Sequence, residues 1–174
     1  MFVLENKNVV DEECVLDAMN NDDGDLIFYL DIESGAVIRR IKMAKDTVKY
    51  QKPKNYYEIP KIVMAEKIGW VKEFAKEIIE MEDKTLSEVI IDVLEDEKIS
   101  DEEGYYKSIS LFEKNNSWIH GWDQWERDNL YDKMENWFET LPVKVDDRWE
   151  GFDDCGLYKS IASSLFPSSS KNSA

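Results

Sequence analysis

One histidine, two cysteines, four prolines and seven glycines are spread over 174 residues, and no apolar run is long enough to span a bilayer. Each shortage closes off a class of function. His120 has aromatic neighbours and no partner residue at a triad-like or zinc-ligand spacing, so it reads as a structural or exposed residue rather than a base or ligand. Cys14 and Cys155 are too few for a secreted disulfide framework. Cys155 also sits among anions in Asp153-Asp154-Cys155-Gly156, where its pKa is expected to rise and its nucleophilicity to suffer. The amino-terminal MFVLENKNVVDEE has neither the basic segment nor the apolar stretch of a signal peptide, which gives the expectation of a soluble, cytoplasmic protein.

Positive charge is scarce as well. Against 38 Asp and Glu there are 22 Lys and Arg, a formal net charge of −16. At that charge, direct binding of DNA, RNA or an anionic membrane is opposed at long range, and cationic proteins become the natural partners. Apolar residues are adequate at 43%, enough for a single core without a disulfide or metal staple.

The organising stretch is Asp25 to Ile41, DLIFYLDIESGAVIRRI, in which two β-prone runs flank Glu33-Ser34-Gly35. Gly35 supplies the positive φ that a short hairpin loop needs. Leu26, Phe28, Leu30 and Ile32 make one fully apolar face, expected to rest on helices, while Ile27, Tyr29 and Asp31 make the other. Before it, Asp11, Glu12 and Glu13 precede Val15, Leu16, Ala18 and Met19, predicting a short helix over 11–20. After it, Tyr56 to Ile59 reads as a third strand stopped by Pro60.

The order of a short helix ending in Asp17-Ala18-Met19, a polar loop, the hairpin with Tyr29-Leu30-Asp31, Ser34-Gly35 and Val37-Ile38, a later YYEIP and a final tryptophan-bearing helix resembles a small bacterial family of unknown function, uncharacterised protein family 0158. The resemblance runs from about Val9 to Phe138 and implies topology and bacterial origin. It implies no catalytic residues, because that family has no assigned activity.

Charge is distributed unevenly along the chain. From Arg39 to Lys54 seven basic residues face one acid, which reads as a solvated strand and loop neutralising nearby acids in preference to a phosphate or acidic-peptide site, since no glycine-rich loop adjoins it. From Glu82 to Glu103 ten acids face two lysines, half of the whole net charge in 22 positions. The sequence Asp96 to Glu103 lacks the residue order and turn glycine of a calcium loop, so no metal and no cofactor is expected. Helical periodicity spans 62–82 through Met64, Val71, Phe74, Ala75, Ile78 and Met81; Thr85 with Glu88 and Ser100 with Glu103 read as capping boxes opening two further helices. In the aromatic segment 118–138, Leu130, Met134, Trp137 and Leu141 form one stripe and Trp118, Trp122 and Trp125 another. Gly121 is expected to bend that helix so that both reach one core, or the tryptophan stripe faces a partner.

These observations predict an α+β fold, a small antiparallel β-hairpin sheet packed by four to five helices, in one domain over 1–166 with a disordered polar tail over 167–174. Trp149 to Phe166 reads as a short docking segment. The expected function is that of a noncatalytic acidic module docking a basic protein surface, such as that of a nucleic-acid-binding protein, through Asp92, Glu95, Asp96, Glu97, Asp101, Glu102 and Glu103 with Trp122 and Trp125. The alternatives are a nucleic-acid-mimicking inhibitor of a nuclease or defence complex, of phage or immunity type, and an enzyme using carboxylate chemistry that spacing alone does not reveal.

Overall fold

The computed structural model describes residues 2–42, 52–114 and 116–147. The element order is β1 (Phe2–Leu4), α1 (Glu12–Met19), β2 (Leu26–Asp31), β3 (Val37–Ile41), β4 (Tyr56–Glu58), α2 (Met64–Phe74), a π-helical turn (Ala75–Ile79), α3 (Glu80–Glu82), α4 (Lys84–Glu95), α5 (Asp101–Phe112), α6 (Asn116–Glu139) and β5 (Val145–Asp147). This is the α+β fold expected. The predicted docking segment from Trp149, Cys155 and the tail over 167–174 lie outside the described residues.

The hairpin forms as the alternation requires. β2 is the central strand of an antiparallel sheet in the order β3-β2-β4, with Tyr29 opposite both Ile38 and Glu58. Leu30 is fully buried on the helix-facing side, with Phe28, Ile32 and Val37 packed against the core. The opposite face is covered too at Tyr29, whose ring lies 6.3 Å from that of Tyr56 and beneath the Lys52 ammonium. The loop is held by Asp31, whose carboxylate accepts from the Glu33 N–H at 3.0 Å, the Ser34 hydroxyl at 2.6 Å and the Asn55 amide at 2.5 Å. Burial pushes the Asp31 carboxyl up, but those donors favour the charged form and hold it below its usual range.

Gly35 is needed twice over. Its φ is +79°, and a Cβ there would stand 2.2 Å from the Val9 carbonyl oxygen. The segment ahead of α1 lies on the hairpin loop, with Asn6 donating its amide to the carbonyls of Ile32 and Glu33. That segment begins in β1, which pairs antiparallel with β5 at the far end of the described residues. Neither strand is expected from the sequence, since three residues without the proline stop that marks Tyr56 to Ile59 carry too little pattern to read.

The helices build the core. Asp11 caps α1 by accepting from the Cys14 N–H. Val71, Phe74, Ile79, Ile90, Phe112, Trp122 and Met134 are buried together, with Phe74 edge-on to Phe112 at 5.3 Å and to Trp122 at 5.7 Å. The helix predicted over 62–82 is present, but with a π-helical turn in its second half. Buried Ser87 of α4 donates its hydroxyl to the Ala75 carbonyl in that turn at 2.9 Å. Met81, placed in the apolar stripe by periodicity, is 69% exposed beyond that turn, which rotates the face.

Two expectations about helix geometry are corrected. The cap of α4 is Asp83, accepting from the Leu86 N–H at 2.9 Å, and Thr85 lies inside the first turn as an exposed residue. Asp83 takes the cap because its backbone is non-helical, at φ −144° and ψ 86°, whereas Thr85 is already inside the helix that starts at Lys84. Ser100 does cap α5, accepting from the Glu103 N–H at 3.2 Å, while the Glu103 side chain pairs with Lys107 instead of closing a box. Gly121 serves close approach: a Cβ there would lie 3.3 Å from the Phe74 ring, and α6 runs unbroken through it.

Candidate functional site

α4 ends and α5 begins at a tight acidic corner. α4 is amphipathic: Ile90 and Ser87 are buried, Leu86, Ile91 and Leu94 pack on the core, and Glu88, Asp92 and Glu95 point outward. The connection Asp96 to Ser100 is folded by Asp96, whose carboxylate accepts from the Lys98 N–H at 3.0 Å. Asp101, Glu102 and Glu103 then fill the first turn of α5, where the helix dipole favours them.

All seven predicted acids, Asp92, Glu95, Asp96, Glu97, Asp101, Glu102 and Glu103, are exposed. Glu95 pairs with Lys72 at 3.0 Å and Glu103 with Lys107 at 2.7 Å. Among the described residues no cation pairs with Asp92, Asp96, Glu97, Asp101 or Glu102. The corner also receives the carbonyl end of α4, whose last turn carries no basic residue to offset its negative pole. Among the described residues no group of three or more acidic, histidine or cysteine side chains is arranged to hold a metal ion.

The predicted tryptophans are elsewhere. Trp122 is 2% exposed, locked between Phe74, Phe112 and Tyr105, so its expected partner-binding role is corrected to a core role. Trp125 is half-buried on Phe74 at 5.9 Å with its indole nitrogen sealed from solvent. Of the stripe, Trp118 reaches toward the acidic region, donating its indole N–H to Glu82 at 3.2 Å.

Beside the acids lies a feature the sequence did not disclose. An open groove of about 700 Å³ runs between α4 and α5, with Val89 and Val93 on one side and Tyr106 and Leu111 on the other. Val89 is 43% and Tyr106 50% exposed. One end carries Glu102 and Glu103 and the other Lys114. A valine pair four residues apart has the spacing of a core stripe, so the sequence does not separate a groove wall from core.

A second unforeseen arrangement joins four elements. Lys67 of α2 is 3% exposed and donates to Asp22 at 2.8 Å and to the Asn20 carbonyl at 3.4 Å, its ammonium lying 5.9 Å from the Tyr105 ring centre. The Tyr105 hydroxyl donates in turn to Glu126 of α6 at 3.0 Å. Burial pushes the Glu126 carboxyl up, against the opposing pull of that hydrogen bond and of Lys67. His120 is exposed on the rim of a cleft of about 340 Å³ next to it, with Asp123 and Arg127. Arg127 is engaged with Glu13 and Tyr131. The exposed Cys14 thiol is raised by its hydrogen bond with Asp11, then by burial and by neighbouring carboxylates, the reverse of what a nucleophile needs.

The basic stretch is described only at its ends. Arg39 and Lys42 are exposed on β3 and just beyond it, and the Lys52 ammonium lies over Tyr29 and Tyr57 at 5.9 and 5.6 Å. No helix among the described residues is long and apolar enough to cross a membrane. Compared with protein-family models, with curated proteins and with solved structures, the chain matches none.

Proposed function

We propose that this chain is a noncatalytic interaction module that docks a basic protein surface on the acidic corner between α4 and α5. The observation that carries the proposal is that seven acids lie on one helix-turn-helix corner, all exposed, five of them with no cation paired to them among the described residues. Like charges held this close repel one another, and an approaching cationic surface relieves that repulsion while being steered toward it. Placing the acids on rigid helix ends keeps the charge pattern fixed before contact, so little ordering cost attends binding.

The runner-up, imitation of nucleic acid to block a nuclease or defence complex, draws on the same charge. Imitation needs acids spaced like phosphates along a ridge, whereas docking needs only a patch, and a cluster at one corner with the apolar groove of Val89 and Tyr106 beside it supports the patch. The test compares proteins recovered from the native host by the unaltered chain and by a variant carrying Asp92→Lys, Glu95→Lys and Glu97→Lys. These three positions lie at or just past the carbonyl end of α4, where the dipole accepts cations and the fold is spared. A basic protein held by the unaltered chain and lost from the variant supports the proposal. The same proteins on both would overturn it.

A further inference from the structure

We infer that the groove between α4 and α5 seats one amphipathic α-helix of a partner, with that helix's Lys or Arg residues lying over the α4–α5 corner and its apolar stripe on Val89, Val93, Tyr106 and Leu111. This rests on the docking reading above and deepens it by naming the binding element.

Three observations lead there. The first is shape: the groove is bounded by two neighbouring helices and stays open along one side, which suits a rod laid between them and does not enclose a small molecule. Its walls are rows of residues spaced by four, Val89 and Val93 on α4 and Glu102, Tyr106 and Ser110 on α5, with Lys114 in the turn just past α5, the ridges between which a third helix packs. The second is composition. Tyr106 at 50% and Val89 at 43% exposure leave aromatic and aliphatic surface in water, and an apolar stripe with a partner's i, i+3, i+4, i+7 spacing removes it.

The third observation is charge, and it decides among occupants. Glu102 and Glu103 line the groove at the corner, continuous with Glu95, Asp96, Glu97 and Asp101 lining the adjoining cleft, while Lys107 is tied to Glu103 and Lys114 stands at the opposite end. A second copy would have to bring together two chains that each carry a net charge of −16, and an anionic lipid surface would be repelled in the same way. A helix with cations at one end of its apolar stripe matches both the floor and the polarity of the groove.

The probe is a fluorescein-labelled synthetic peptide with leucines at helical i, i+4, i+7 and i+11 spacing and lysines clustered at one end. A scrambled peptide of the same composition keeps the charge and destroys the stripe. Binding to the full chain is read by fluorescence anisotropy, alongside a variant with Val89→Gln and Tyr106→Gln, whose side chains are exposed and whose fold is checked by circular dichroism. The expected result is that the patterned peptide binds at least tenfold more tightly than the scrambled one, and that the double variant erases this difference. Equal binding of both peptides, weakened by the charge reversals at Asp92, Glu95 and Glu97, would overturn the groove and leave acidic docking standing. No binding of either peptide would overturn both. A dimer of the unlabelled chain in sedimentation that Val89→Gln and Tyr106→Gln dissociate would assign the groove to a second copy and overturn the inference.

Discussion

Single residues set the limits of this fold in ways that charge and period only partly foretell. Gly35 was legible as a turn glycine from Glu33-Ser34-Gly35, but its second constraint, the Val9 carbonyl packed against it, comes from a segment 26 positions away and has no local signature. Gly35→Val should therefore cost about 2 kcal/mol or more, combining a left-handed φ with a backbone clash. Urea denaturation reads this directly, and an unchanged midpoint would remove Gly35 from its place in the loop. Glu126 gives a test of opposite sign. Folding raises its pKa, so the native state holds that proton more tightly than the unfolded chain. Its contribution is thus fully favourable below the ordinary glutamate pKa and is lost as pH rises through the raised native value. Glu126→Gln keeps an acceptor for the Tyr105 hydroxyl and removes the charge, so the variant should melt higher than the native chain at pH 7 and converge with it toward pH 4. A gap that widened on acidification would contradict the assignment.

At the scale of elements, the hairpin and the helix starts were readable because each depends on residues within a few positions of one another. The alternation from Leu26 to Ile32, the acids at the start of α1 and the cap at Ser100 are of that kind. The start of α4 shows the limit, since both Asp83 and Thr85 are good capping residues and only the backbone path decides between them. Asp83→Ala should cost about 1 kcal/mol and Thr85→Ala less than about 0.5 kcal/mol, measured as shifts in thermal or urea midpoint. The reverse order would restore Thr85 to the cap. What spacing could not disclose were contacts between distant elements: β1 with β5, Ser87 with the Ala75 carbonyl, and Lys67 with Asp22 and Tyr105. The candidate site divides the same way. The acids of the corner were legible as composition, the groove beside them was not, and Trp122 was misassigned because a stripe meant for the core and one meant for a partner have the same period.

For the whole molecule, the separation of structure from charge is what makes docking testable. The core is apolar and continuous from the sheet through α6, while the acids of the α4–α5 corner lie outside it, so altering them should leave thermal stability within about 0.5 kcal/mol of the native value. A net charge of −16 should likewise keep the chain soluble at low ionic strength and speed its encounters with cations. The most direct measurement is the association rate constant with a basic partner recovered from the host, taken by stopped flow across a salt series for the native chain and for Asp92→Lys, Glu95→Lys, Glu97→Lys. With a Debye length of about 10 Å at 0.1 M falling to about 3 Å at 1 M, the native rate should drop roughly tenfold or more over that range. The reversed chain should start slower and vary little. Equal rates and equal salt dependence for the two proteins would contradict docking at the acidic corner.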